Sequence, residues 1–442
     1  MRKSLIVAAI ALIAALPLFA TGQKEAASGT QAASQQQINL GVVWWGSKIR
    51  HEETIAVLKL YEKDHPNVHF TYQYSGWSDY WTKVTTEAAG GSLPDVMQQD
   101  YAYVTQWAHN GLLVNLDPYI SSGVIDLQGV KPAYVDGGKV DGHMVAIDLG
   151  ANTMSFIIDT EAFKKAGIPI PANNWTWNDF ENVVMQLHQK LGIWGFSGGL
   201  TEPAGHIVQT LFLSLGENTW AANGKSLGFT DPTPFVNYLK MILKLQAAGA
   251  IPSESEAISM NNQGPETDPI VKGQAAMTYQ WSNQIDAVQS ASGPNRHFIL
   301  HTIPREPGGG PANYIKDGQF FSVTTQSKHQ KAAAEFVNWF IHSIPANKIM
   351  LGERGVPIIE AVQKAIEPDV TPATAASFEF VNYVAAHAAP TPPPDPTLAA
   401  NVLNNVFNPQ VLQPVMFGKI SPEQGAQVFM TQANAILSGQ QK

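Results

Sequence analysis

Ile38-Asn-Leu-Gly-Val-Val-Trp-Trp45 is an eight-residue run that ends at Gly46-Ser47. Its length and its β-branched and aromatic content predict a strand. Outward from it the pattern alternates. A helical segment from about Glu52 to His65 is stopped by Pro66, and a strand follows from Val68 to Tyr74. A helix over Asp79 to Ala89 ends at Gly90-Gly91, ahead of a strand at Asp95 to Gln98 and a helix at Ala102 to His109. Successive βα units on short connections predict a parallel sheet with helices on both faces. Trp44 and Trp45 then stand at the carboxyl end of a strand, where open α/β sheets bind ligands and an indole offers a flat, desolvated face. Neighbouring strand residues point to opposite faces, so Trp45 is expected at the cleft and Trp44 in the packing.

A second unit starts after Ala146-Ile147-Asp148. Asp159 is read as the cap of a short helix that Gly167 closes. Thr176-Trp-Asn-Asp179 opens, in the manner of a capping box, a helix that Gly192 stops. Further helices are expected at Ile207 to Leu215, Pro234 to Ala247, Pro269 to Lys272, Lys331 to Ile341 and Pro422 to Leu437, with Pro390 to Pro396 an extended loop.

Arg2 and Lys3 precede an apolar run, Leu5 to Leu16, that Pro17 ends before small residues, the pattern of a secretory signal peptide. Residues 1–22 are assigned to it, with cleavage after Ala20 or Gly22, and residues 23–37, rich in Ala, Ser and Gln, to a flexible leader. The chain has no cysteine, hence no disulfide and no thiol for a lipid anchor. A soluble protein of a bacterial periplasm, without a direct membrane anchor and monomeric, is expected. The formal charge of −9 becomes −11 once the two basic residues of the export segment leave. An acidic chain without basic runs is a poor nucleic-acid binder. Only 14% of residues are charged while Trp, Tyr, Asn and Gln are plentiful, which favours a neutral polar ligand.

Several stretches, in order, resemble the carbohydrate group of the extracellular solute-binding proteins of ABC importers, the maltose-binding-protein-like family 1. They are Leu58-Lys-Leu-Tyr-Glu-Lys-Asp-His-Pro-Asn-Val68 after Arg50-His51; Gly91-Ser-Leu-Pro-Asp-Val96; Gly111-Leu-Leu-Val-Asn-Leu-Asp117; Asp159-Thr-Glu-Ala-Phe-Lys-Lys-Ala-Gly167 with Trp175-Thr-Trp-Asn-Asp-Phe180; Lys272-Gly-Gln-Ala-Ala-Met-Thr-Tyr-Gln-Trp281; and Lys331-Ala-Ala-Ala-Glu-Phe-Val-Asn-Trp-Phe340. The resemblance implies an α/β, two-lobe periplasmic-binding-protein clamshell with three interlobe crossings, near Asp148 to Asn152, Pro304 to Gln319 and Ser343 to Gly352. Residues 38–148 and 319–342 would form the N-terminal lobe, and 149–318 and 343–442 the C-terminal lobe. It also implies a carbohydrate ligand bound between the lobes, hinge closure, and docking on the transmembrane subunits of an ABC permease. Many relatives are lipoproteins; this chain departs from them in lacking the anchoring cysteine.

A sugar offers a C–H face and a rim of hydroxyls, so its site needs aromatic planes and polar side chains. Trp281, in Gln280-Trp-Ser-Asn283 after a strand-like Ala275 to Tyr279, matches the family's stacking position, with Asn283 beside it. Ser47, Arg50 and His51 follow the first strand, where a guanidinium fork could hold hydroxyls or a carboxylate, leaving an acidic sugar open. Of Trp77, Tyr80 and Trp81, one is expected to face the cleft. Asp100 and Tyr101 end the third strand; Asp100 either accepts two hydroxyls or caps the next helix. Asn152 and Gln319 lie in crossings, and Arg354, in Gly352-Glu-Arg-Gly-Val-Pro357, either reaches ligand or pins the hinge. Glu202 and Trp220 complete the candidates, and so many platforms favour an oligosaccharide.

Motifs for catalysis or metal fail on context. Gly195-Phe-Ser197-Gly-Gly199 has the spacing of a nucleophile elbow, but Leu200-Thr-Glu-Pro203 intervenes before any helix. Pro66 breaks the helix that would pair His65 with His69 as metal ligands. No catalytic residue, metal or cofactor is assigned. The alternatives kept are a secreted glycoside hydrolase using acids such as Asp100, Asp148 and Glu202, and a receptor for peptides or another polar solute.

Overall fold

In this computed structural model, which describes residues 37–46, 48–198, 200, 206–260, 264–392 and 395–439, the opening run is strand β1 (Ile38–Trp45). It pairs in parallel with β2 (Val68–Ser75), Ile38 opposite Val68, and with β3 (Val96–Gln99), Val42 opposite Val96. The alternation of β1 divides its side chains between two packed layers. Leu40, Val42 and Trp44 join a core with Val57, Leu58 and Tyr61 of helix α1 (Lys48–Asp64). Val43 and Trp45 join a core with Tyr80 and Val84 of helix α2 (Trp77–Ala89). Helix α1 begins about a turn earlier than the expected Glu52, and both helices end where Pro66 and Gly90-Gly91 require.

Apart from a two-residue antiparallel ladder, Lys139–Val140 against His143–Met144, the further strands are β4 (Ile147–Asp148), β5 (Ala151–Asn152), β6 (Met154–Asp159), β7 (Met277–Trp281), β8 (Phe298–His301), β9 (Lys316–Asp317) and β10 (Phe320–Val323). The first sheet has the order β2-β1-β3-β10-β4, and β10 runs antiparallel to both of its neighbours. The second sheet, β8-β6-β7, is antiparallel throughout. An all-parallel reading is therefore corrected. Strand β10 comes from a segment returning from the second lobe, and it enters the first sheet against the direction of the βα units.

Local capping signals behave as the sequence predicts. Asp159 accepts from the backbone N–H groups of Glu161 and Ala162, and Gly167 closes that helix at φ 64°. Thr176 and Asp179 form a reciprocal capping box at the head of the helix Trp177–Leu191, which Gly192 ends at φ 69°. Pro269 to Lys272 forms turns rather than the expected helix.

Each lobe has its own large core. Phe156, Phe180, Phe212, Phe235 and Phe429 build the second. In the segment drawn above with the second lobe from 343 onward, Ala346, Met350, Val362, Phe378, Val381 and Val384 pack instead on the first core. Core membership changes between Val384 and Ala399, not near Ser343 to Gly352. Between the lobes β5 and β9 form a short antiparallel ladder, Lys316 opposite Asn152 and Asp317 opposite Ala151. Gly355, at φ 113°, lets a third segment press on it; a Cβ there would stand 2.8 Å from the Ala151 carbonyl.

Candidate functional site

Where the two lobes face each other, a cavity of about 240 Å³ opens between Trp77, Asp100 and Tyr101 of the first lobe and Gln209 and Trp220 of the second, with Lys316 of β9 and Asp395 of the proline-rich loop on its wall. Gln209, Trp220 and Pro392 also border a neighbouring cavity of about 430 Å³. Together these fall within the roughly 300–1,000 Å³ usual for small-molecule sites.

Trp77 heads α2 and is 43% exposed. Trp45 meets it edge to face at 5.0 Å, and Trp81 does the same at 5.5 Å. A large ring held on its edges, with surface still open, is a preformed platform. Trp45 is the buttress beneath it, 7% exposed and not on the cavity wall. The expectation that Trp45 faces the cleft therefore passes to Trp77, because Tyr80 and Trp81 of α2 cover the Trp45 ring.

Asp100 is on the cavity wall but is not the cap of the helix that follows, Val104–His109, whose N-cap is Tyr103. Its Oδ1 accepts from the Ala102 N–H at 2.9 Å, and its Oδ2 lies 4.0 Å from Lys316 Nζ. Tyr101 Oη donates to the carbonyl of Pro392, tying the first lobe to the proline-rich loop. Trp220 Nε1 donates to Asp395 Oδ1 at 2.8 Å. Burial pushes the Asp395 carboxyl up to about 6, against the pull of the Trp220 N–H and the Lys316 charge. Asp395 and Lys316 were not singled out from the sequence. The partner of Asp395 is 175 positions away, and a lone acid among prolines carries no periodic or motif signal.

The other candidates lie elsewhere. Trp44 is fully buried and donates from Nε1 to His51 Nδ1 at 3.1 Å, while His51 stacks on Tyr74 at 4.2 Å. Burial, then the charges of Arg50 and Arg354, hold the His51 pKa down. Arg50 Nε donates to both Glu353 carboxylate oxygens, at 3.0 and 2.8 Å. Arg354, 2% exposed, donates from Nη1 to Gln98 and Gln319 at 2.8 and 2.9 Å and from Nη2 to Thr54 at 2.8 Å. Arg354 and Gln319 thus pin the packing of β3, α1 and the crossing segments, the hinge-side option. Asn152 is buried in the crossing ladder, its Nδ2 3.5 Å from the Arg354 carbonyl. Trp281 is half-buried and does not border the cavity; Lys316, which does, has its Nζ 4.8 Å from the Trp281 ring centroid. Asn283, in the single turn Ser282–Gln284 that follows, is also off the cavity wall. Ser47 and Glu202 lie outside the described residues.

Ser197 Oγ donates to Asp268 at 2.7 Å and is 2% exposed, a structural hydroxyl. His65 and His69 pair separately, with the Tyr61 carbonyl and with Glu62. No helix among the described residues is long and apolar enough to cross a membrane.

A family model of bacterial extracellular solute-binding proteins matches residues 56–377. The chain belongs to that family. A solved family 1 extracellular solute-binding protein from Alicyclobacillus acidocaldarius subsp. acidocaldarius DSM 446 is 30% identical and covers 92% of this chain and 100% of its own at TM-score 0.73. The multiple sugar-binding protein of Streptococcus mutans serotype c is 19% identical over 389 residues, 81% of this chain and 84% of that one. A periplasmic oligogalacturonide binding protein from Yersinia enterocolitica, solved in complex with saturated digalacturonic acid, is 22% identical at TM-score 0.75, covering 91% and 99%; at that identity the likeness is one of fold. The family is one of receptors rather than enzymes.

Proposed function

We propose that this solute-binding protein is the substrate receptor of an ABC importer and captures an oligosaccharide between its two lobes for delivery to a membrane permease. One observation carries the reading: a cavity between the lobes with an exposed, buttressed indole, Trp77, on one wall and Trp220 on the other. Two aromatic planes with carboxylate acceptors between them suit the C–H faces and hydroxyl rim of sugar rings. The second cavity, which shares Gln209, Trp220 and Pro392 with the first, gives room for more than one ring, and the sugar-binding relative at similar length supports the class of ligand. The lobes share ligand contacts only when shut, so binding is proposed to close the hinge. Export to the periplasm as a soluble monomer without a lipid anchor, with the signal peptide removed, belongs to the same proposal.

The hydrolase alternative loses Asp148, which is 3% exposed and faces the buried Asp317 rather than the cavity. Among the described residues its remaining carboxylates at the cavity are Asp100 and Asp395. Incubation with maltotriose, cellotriose, xylotriose and mannotriose, followed by chromatography and thermal-shift measurement, tests both readings. The receptor reading expects a raised melting temperature with one of these sugars and no shortened product; shortened product would replace it with the hydrolase. A shift with tripeptides in place of sugars would move the ligand to another class.

A further inference from the structure

The charged groups on the cavity wall are unequal in number. Among the described lining residues there are two carboxylates, Asp100 and Asp395, and one ammonium, Lys316. The Lys316 charge is offset by Asp100 at 4.0 Å and lies 4.8 Å over the Trp281 ring, so the wall as a whole stays net negative. In the neighbouring cavity Lys139 pairs with Asp136 at 2.8 Å and His109 with Asp141 at 3.0 Å. The guanidinium groups that would suit a ligand carboxylate are spent elsewhere, Arg50 on Glu353 and Arg354 on Gln98, Gln319 and Thr54. Proteins that grip carboxylates do so with paired N–H donors of this kind; the cavity instead presents acceptors. A uronate entering it would meet two like charges in a partly desolvated space, whereas a neutral sugar's hydroxyls would donate to them.

We infer that this cleft takes an uncharged oligosaccharide and rejects sugar acids, with Asp395, held by the Trp220 indole, as the residue that sets the selectivity. The inference rests on the sugar-receptor reading and names the class of sugar. It removes the acidic ligand that Arg50 and His51 left open in the sequence.

Calorimetric titration at pH 7.5 with two sets of probes tests it: the four neutral trisaccharides above, and digalacturonic and trigalacturonic acids. The expected result is binding of a neutral trisaccharide, with the galacturonates at least tenfold weaker. Asp395→Asn, which keeps an oxygen for the Trp220 N–H, is expected to lose about tenfold or more in affinity for that neutral sugar while the free protein melts as the wild type does. Should that variant fail to fold, Asp100→Asn, which keeps the acceptor for the Ala102 N–H, carries the same expectation. A galacturonate bound as tightly as any neutral sugar overturns the inference and leaves the receptor reading standing. Wild-type affinity in the folded Asp395→Asn variant overturns the role of Asp395. Binding of neither set removes the sugar reading and the inference with it.

Discussion

Around Arg354 and around Lys316 the chain sets a cation among polar groups near the meeting of its lobes, with opposite outcomes. The Arg354 guanidinium is 2% exposed, and both of its terminal nitrogens donate at 2.8 to 2.9 Å to Gln98, Gln319 and Thr54, with Phe321 and Phe340 against its face. Lys316 has its nearest carboxylate at 4.0 Å and an open cavity beside it. Direct hydrogen bonds from both terminal nitrogens of a buried guanidinium hold a fold together. A cation with longer contacts and space at its side leaves hydrogen-bonding capacity for a ligand. Polar clustering alone does not mark a binding site; what matters is whether the cluster is already satisfied.

The sharpest way to break that contrast is Arg354→Met. Deleting one member of a buried network leaves Gln98 Oε1 and Thr54 Oγ1 without the guanidinium donor and Gln319 Oε1 with only Gln98 Nε2, so a loss of about 3–5 kcal/mol in unfolding free energy is expected, read by urea denaturation. Unchanged stability with abolished sugar binding would place Arg354 at the ligand instead.

A smaller effect is expected at the buried pair Asp148 and Asp317. Burial raises both carboxyls above the usual aspartate value of 3.8, Asp317 to about 7, and the Asp317 charge adds to burial in raising Asp148. A carboxyl that holds its proton more tightly folded than unfolded contributes most below about pH 4. Stability then falls as pH rises toward 7, and levels off once the folded pair has lost that proton. The groups around the pair are Tyr101, Tyr134, Asp136 and Lys316. Asp148→Asn supplies a permanent donor to Asp317. Only the Asp317 titration remains in the variant, so its melting temperature should decline less steeply from pH 4 to 8 than the wild type's, with a gain of about 1–3 kcal/mol at pH 8. An equal decline in both proteins would show that Asp148 does not contribute to it.

The smallest effect is expected for Trp281→Ala. With Lys316 over its ring and the ring off the cavity wall, truncation should weaken sugar binding by less than about 1 kcal/mol. A larger loss in titration calorimetry would move the ligand past Lys316 onto the ring that the family resemblance favours.

The parts of this architecture written in short-range pattern were legible. The alternation of Ile38–Trp45 foretold two packed faces, and Asp159, Thr176, Gly167 and Gly192 foretold their caps and stops. What depends on distant partners was not. Arg50 and Arg354 look alike in sequence, and only Glu353, Gln98 and Gln319 brought next to them make them structural. Asp395 gains meaning only from Trp220 and Lys316, and the antiparallel strands arise from a chain that returns between lobes. Four of the candidates, Trp77, Asp100, Tyr101 and Trp220, share one cavity, whereas Trp44, Trp45, Arg50, His51, Asn152, Gln319 and Arg354 serve packing.

The central claim is that ligand sits against Trp77 between the lobes. Titration of Trp77→Ala with the best-bound neutral trisaccharide tests it most directly. The account predicts a loss of about 2 kcal/mol or more in binding free energy, with the melting temperature of the free protein close to wild type because the ring is 43% exposed. Wild-type affinity in that variant would contradict it.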